Sequence, residues 1–412
     1  MIRSHQSVGV HDRLYAKALV LGEGDAPSDA AAFLSLDVCA LSTLDCDRLR
    51  DNISGQTGIP KERVILAATH THSGPATVGL FNPKEDLYSR ELADKTVRAV
   101  KKAFAGLAPA AVGCASGRED TISHYRRLLA DDGHVVMNWE SWPQERIVRA
   151  LGVIDPEVGV LKIADIDSPG KIMGLLFNHA GHPNVMSGDN YLISADYPGL
   201  AEALLEKKLG GTAIFMNGAQ GTMDIDGLKD RDWSGLERLG RALAGAVEIA
   251  TQNISVCSAA TLRSKACRYT VPSRKISDKE LDWAEGTLKK TEGAVAVAAD
   301  GVGDDYKAKL YRKLRQIQDR TIELEQTCVA IDYCAFLSFP GELFTEIGMT
   351  IKAGSPFRHT YILGLANGYL GYVPTRKAIR EGGYESDTRQ VDGSAEDIIT
   401  EQSLALLRNL HG

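Results

Sequence analysis

Two histidines, His70 and His72, close an apolar run in LAATHTHSGP (66–75), and two more, His179 and His182, stand in NHAGHP (178–183). Neutral imidazole and carboxylate oxygen are the usual ligands of a catalytic zinc, which keeps one further position for water. If an extended strand runs through THTH, residues 70 and 72 share a face and could address one site. His179 and His182 are three apart, which suits one face of a helix and not of a strand, so at most one of them is expected to join. Glu342, in the turn FPGEL (339–343), could complete a ligand set. Each residue also has an ordinary reading. Histidines at a sheet rim satisfy local hydrogen bonds, a lone glutamate favours a helix start, and Tyr369 and Tyr372 suit core or rim aromatics. Ser73 lacks a nucleophile-elbow pattern and reads as a turn residue.

The elements that must position these residues alternate. AAFLSLDV (31–38) and RVILAAT (63–69) read as buried strands, with a helix over 43–58 between them that stops at Gly58. A second helix is expected over 88–107. KIMGLLFNHAG (171–181) reads as a strand with a polar end, 197–211 as a helix with Pro198 near its start, and TAIFMNGAQG (212–221) as strand then turn. CVAIDYCAFLSFPGELFTEIGMTIKAG (328–354) again gives strand, turn and helix. The pattern predicts an α/β fold with mixed sheets flanked by helices and an active site at strand ends. The charged stretch 275–327 predicts a helical excursion, as one long helix or a helical pair. No linker rich in Pro, Gly or Ser divides the chain, so residues 1–412 read as a single domain.

Composition narrows the function. The net charge of −7 gives no basic excess for nucleic acid or an anionic membrane surface. No apolar run approaches the roughly 18 to 20 residues of a membrane helix, and the N-terminus does not resemble a secretion signal. A cytoplasmic location is therefore expected. Seven cysteines, an odd number without Cys-x-x-Cys, predict reduced thiols and neither a disulfide framework nor a cysteine zinc site.

Over nearly its whole length the sequence resembles the neutral (non-lysosomal) ceramidase family, in its N-terminal catalytic domain. The motifs run in order: VGVHDRLYAKALVL (8–21), LAATHTHSGP (66–75), SHYRRLLADDG (123–133), IDPEVGVLKI (154–163), NHAGHP (178–183), ISADYPG (193–199), NGAQG (217–221), PGELFT (340–345), LANGYLGYVPT (365–375) and GYES (383–386). The resemblance implies one Zn2+ per chain and hydrolysis of an amide bond that joins a fatty acid to sphingosine. It implies that His70, His182, Glu342 and Tyr372 ligate the metal. His72 would bind or polarise substrate, Arg126 would contact substrate, and Tyr384 would be the second active-site tyrosine. It gives His179 no role.

Two departures bear on the substrate. Asp224, in Gly221-Thr-Met-Asp224, stands roughly where the family has an active-site serine, and Tyr125 precedes the arginine where asparagine is usual. Asp224 reads as a general base, an orienting group or a turn residue. The resemblance also has no counterpart here for the family's C-terminal β-sandwich, as in shorter bacterial-type relatives. The expectation is a hydrolase of a small-molecule amide or ester, acylated or not, smaller or more polar than ceramide. An esterase or lactonase on the same site, and a non-catalytic metal-containing binding module, are the alternatives.

Overall fold

A computed structural model describes every residue except 1–4, 80–82, 141, 187, 227–228, 230 and 292–302. Three larger sheets form its frame. In the first, β1 (Ala16–Gly22) runs antiparallel to β2 (Ala30–Leu36), which lies parallel to β3 (Val64–Ala68). In the second, β4 (Ala110–Arg118), β5 (Glu157–Asp165) and β6 (Ile172–His179) are antiparallel neighbours, and β7 (Thr212–Asn217) is parallel to β6. In the third, β8 (Leu262–Pro272), β9 (Thr321–Ile331) and β10 (Cys334–Ser338) are antiparallel neighbours, and β11 (His359–Leu363) is parallel to β10.

Each sheet turns one face to a shared core. Phe33 and Ile65 of the first sheet, Leu176 and Met216 of the second, and Phe336 and Tyr361 of the third belong to one buried cluster. The opposite faces are covered by helices. These are α1 (Thr43–Thr57) and α2 (Asp86–Ala105) on the first sheet, and α3 (Asp196–Leu209) and α4 (Trp233–Gln252) on the second. The third sheet is covered by α7 (Thr345–Gly354) and a C-terminal helix, Ala395–His411. All seven residues of β2 are buried, which is why that segment is apolar without alternation. The boundaries follow local chemistry. Ser42 accepts the Asp45 N–H to cap α1, and Gly58 ends it at φ 78 in the left-handed conformation.

The expected mixed α/β fold is found, with two adjustments. The 275–327 excursion is a helical pair, α5 (Asp278–Lys290) and α6 (Asp304–Ile317), and residues 292–302 between them lie outside the described set. Its last part, TIELEQ, is strand and not helix. Glu323 and Glu325 alternate with Ile322 and Leu324 along β9, and the full eleven residues pair with β8. The second adjustment is at THTH. The strand stops at Ala68, before the histidines.

The three parallel pairs, β2 with β3, β6 with β7 and β10 with β11, share one consequence. The segments following the carboxyl ends of β3, β6, β10 and β11 carry His70, His182, Glu342 and Tyr372 in turn. No described helix is long and apolar enough to cross a membrane, and all seven cysteines are free thiols.

Candidate metal centre

After β3 the chain turns sharply. The Thr69 and His70 N–H groups bond to Leu36 and Val38 carbonyls, and His70 adopts φ 77, a left-handed conformation uncommon for a non-glycine residue. A turn, not strand periodicity, therefore brings His70 and His72 together, with their Nε2 atoms 3.3 Å apart. The His72 N–H bonds to the Pro183 carbonyl, which ties this turn to the one carrying His182. Glu342 comes from a two-residue strand, Glu342–Leu343, paired in parallel with Tyr372–Val373, so Glu342 and Tyr372 are direct neighbours in register.

Three of the expected ligands converge. Glu342 Oε2 lies 3.4 Å from His70 Nε2 and 3.2 Å from His182 Nε2. All three residues are buried. Each imidazole turns its other nitrogen to a backbone carbonyl: His70 Nδ1 is 2.7 Å from Cys39 O, and His182 Nδ1 is 2.7 Å from Met223 O. A carbonyl only accepts, so both Nδ1 atoms carry the proton, and in neutral rings both Nε2 atoms present lone pairs. Two imidazole Nε2 atoms and a carboxylate oxygen thus face one another in a buried space, a group that could hold a cation. The donor set, two imidazoles and one carboxylate, fits zinc.

The electrostatics treat the two rings differently, and a proton and a metal ion would compete for His70 Nε2. Burial alone would raise the Glu342 pKa, but His70 and His182 outweigh it and hold the carboxyl well below the usual range. Burial opposes charge on His70, yet Cys39 and Glu342 push its pKa well up. His182 goes the other way, lowered by burial and then by the Arg126 guanidinium. Of the two rings, His182 is the one kept neutral.

The remaining expected residues divide into two groups. His70, His72, Glu342, Tyr372 and Tyr384 line a cavity of about 820 Å³. The Tyr372 and Tyr384 rings meet at 5.5 Å between centroids, and burial pushes both phenols far above their usual pKa, so both hold their protons. Arg126 and Asp224 lie behind this wall. Arg126 donates from Nε to Glu385 (2.7 Å) and from Nη2 to the Gly221 carbonyl (2.9 Å). Its Nη1 sits 3.0 Å from His182 Nε2, and its guanidinium stacks over Tyr372 and Trp139. Asp224 is fully buried, accepts from Asn184 (3.2 Å) and the Ile225 N–H (2.8 Å), and stands 4.0 Å from Arg126. His179 is also buried, at the end of β6, with Nδ1 3.2 Å from the Glu157 carbonyl, away from the three converging ligands.

Several residues at the centre escaped the sequence reading. Tyr369, read from the sequence as a core or rim aromatic, donates to Glu342 Oε1 at 3.2 Å. Cys39 Sγ lies 3.6 Å from His70 Nδ1 and forms a second close group with His70 and His72. Tyr306, at the start of α6, lines the cavity. The helical pair thus reaches the site through its end. Among the described lining residues are six tyrosines (88, 191, 306, 369, 372 and 384), while branched aliphatics are limited to Val78, Leu192 and Ile193.

Comparison with known proteins bears on the family and the fold. The family model described as neutral/alkaline non-lysosomal ceramidase, N-terminal, matches residues 3–223. A neutral ceramidase of Pseudomonas aeruginosa is 27% identical over 271 residues, 60% of this chain and 38% of that protein. Neutral ceramidase B of Dictyostelium discoideum is 27% identical over 217 residues, 49% of this chain and 28% of that protein. Neutral ceramidase of Mycobacterium tuberculosis is 26% identical over 221 residues, 50% and 32% respectively. The matched stretches therefore span well under half the length of these relatives. The crystal structure of the P. aeruginosa enzyme superimposes with a TM-score of 0.72 at 19% identity, covering 98% of this chain and 70% of that one. That likeness extends the common fold beyond residue 223 to the segments carrying Glu342, Tyr372 and Tyr384.

Proposed function

Because the chain belongs to the neutral/alkaline non-lysosomal ceramidase family, we propose that it is a metal-dependent hydrolase of a carbon–nitrogen amide bond. Zinc is the metal, held by His70, His182 and Glu342, with Tyr372 as a fourth ligand. The observation that carries this reading is the convergence of two imidazole Nε2 atoms on one carboxylate oxygen, at 3.4 and 3.2 Å, with both Nδ1 atoms committed to carbonyls. Zinc bound there supplies Lewis acidity and a lowered pKa for water.

The protein's own groups do the rest. His72, on the cavity wall beside His70, donates to the acyl carbonyl oxygen. Tyr384, kept protonated by burial, supplies a second donor. Both act where negative charge grows as the carbonyl carbon is attacked. Water oxygen bonds to that carbon, the C–N bond breaks, and the proton given up by water ends on the departing amine. Arg126 acts on substrate through Tyr372, whose ring its guanidinium covers, and Asp224 acts through Arg126.

The relatives are named for ceramide. For this chain the departures at Tyr125 and Asp224 are the ground for reading the substrate as an amide smaller or more polar than ceramide. Elemental analysis should find about one zinc per chain. A panel of N-acyl amides with short and long acyl groups should give turnover that His70→Ala abolishes. Full turnover in folded, metal-free protein would overturn the proposal, and turnover of esters alone would transfer it to an esterase or lactonase.

A further inference from the structure

Asn217 is the last residue of β7 and is fully buried. Its side chain reaches two ligand turns at once. Nδ2 donates to the Thr69 carbonyl (3.2 Å) and to the Gly181 carbonyl (2.8 Å), while Oδ1 accepts from the N–H groups of Gly218 (2.9 Å) and Gly181 (3.3 Å). Thr69 immediately precedes His70, and Gly181 immediately precedes His182. All four hydrogen-bonding positions of the amide are used. The Asn217 backbone carbonyl accepts the Gly364 N–H at 2.9 Å, which anchors the segment leading to Tyr372.

Two glycines at these turns leave no room for a side chain. A Cβ at Gly181 would lie 2.6 Å from the Tyr197 hydroxyl, and one at Gly218 would lie 2.9 Å from the Ala180 Cβ. The turn it holds is strained. A histidine at φ 77 costs on the order of 1 kcal/mol or more and persists only where surrounding contacts over-determine it. The two Nε2 atoms belong to chain segments more than a hundred residues apart, and a metal site tolerates only about 0.5 Å of misplacement.

We propose that Asn217 is the positioning residue of the metal centre. By clasping the peptides before His70 and His182 it sets the separation of their Nε2 atoms before any metal binds. This rests on the metal-centre reading above. An aspartate in its place would keep the two acceptors but aim a carboxylate at the Thr69 and Gly181 carbonyls.

The test compares Asn217→Asp with Asn178→Asp. Asn178 is an equally placed control, a buried amide whose Nδ2 bridges the Met216 and Ile362 carbonyls without touching a ligand turn. Zinc affinity is measured on metal-stripped full-length protein by competition with a chromophoric chelator, and thermal unfolding of the same stripped samples is recorded. Both variants should lose thermal stability, while Asn217→Asp alone should lose about 10- to 100-fold in zinc affinity. Asn217→Ala, which brings no charge, should show the same affinity loss and serves if the aspartate variant does not fold. Wild-type zinc affinity in a folded Asn217 variant, or an equal loss in Asn178→Asp, would overturn the inference. A wild-type protein that binds no zinc would overturn the metal centre itself, and is read from the wild-type titration alone.

Discussion

Tyr384 and Glu342 occupy one cavity wall, yet their chemical states are driven apart. Burial and the Glu342 charge drive the phenol toward its protonated form, while the two imidazoles keep the carboxyl ionised. A proton donor and an anion therefore coexist at one wall, which hydrolysis needs if the donor is to meet developing charge and the anion is to hold a cation. Replacing Tyr384 by Phe removes the donor and leaves the ligand atoms in place. Its kcat should fall about 100- to 1000-fold, the usual cost of one such donor, with zinc content unchanged by elemental analysis. Loss of zinc in this variant would make Tyr384 a ligand or its support. Tyr372→Phe is the contrasting case, since a ligand role predicts weaker zinc binding in chelator competition as well as slower turnover.

Elements meet at Glu385. Its two carboxylate oxygens accept from Arg126 Nε (2.7 Å) and Arg127 Nη1 (2.9 Å), and all three side chains are buried. The carboxylate joins the short helix Tyr384–Thr388 to the segment behind the metal ligands. Glu385→Ala would leave two buried guanidiniums short of a partner, a defect that costs about 3 to 5 kcal/mol. Urea unfolding should read that loss, whereas a change under 1 kcal/mol would mean that water or Glu381 takes over. The same junction explains what was legible in the sequence. Strands and helices with clear periodicity, such as β2, α1 and α3, were readable because a buried stripe leaves a local pattern. The proposed ligand set rests on the ordered family motifs alone, since THTH by spacing alone suggested a strand that in fact ends at Ala68. Asn217, Tyr306 and Glu385 left no local signal. The Asn217 clasp and the Glu385 to Arg126 bond reach 36 to 259 residues along the chain, so only the fold reveals that NGAQG and GYES carry clasps.

At the scale of the whole molecule, one acidic group sits where distant segments close on each other. Asp196 opens α3 at φ 62 and is buried. Its Oδ2 accepts the Val185 N–H (3.0 Å) from the turn after His182, and its Oδ1 accepts the Tyr197 N–H (2.8 Å). Asp12, from the N-terminal segment, accepts from Ser194 and Ala195 beside it. Burial is the main cause that raises the Asp196 pKa to about 7, with Asp12 adding to it and the backbone donors and Arg231 opposing. An ordinary aspartate in the unfolded chain ionises near pH 4. Between about pH 4 and 7 the unfolded chain has therefore released this proton while the folded protein retains it. The folded state then binds more protons, so this group's contribution to stability falls as pH rises through that window and levels off above it, with a slope of at most about 1.4 kcal/mol per pH unit. Asp196→Asn cannot titrate and tolerates the left-handed backbone. Urea unfolding at pH 5, 6, 7 and 8 should show the wild type losing stability relative to the variant from pH 5 to 7, with a constant difference beyond. A difference independent of pH throughout would mean that Asp196 is already ionised in the folded protein at pH 5. The closure of the N-terminal segment over α3 and the His182 turn would then hold a charge, not a proton.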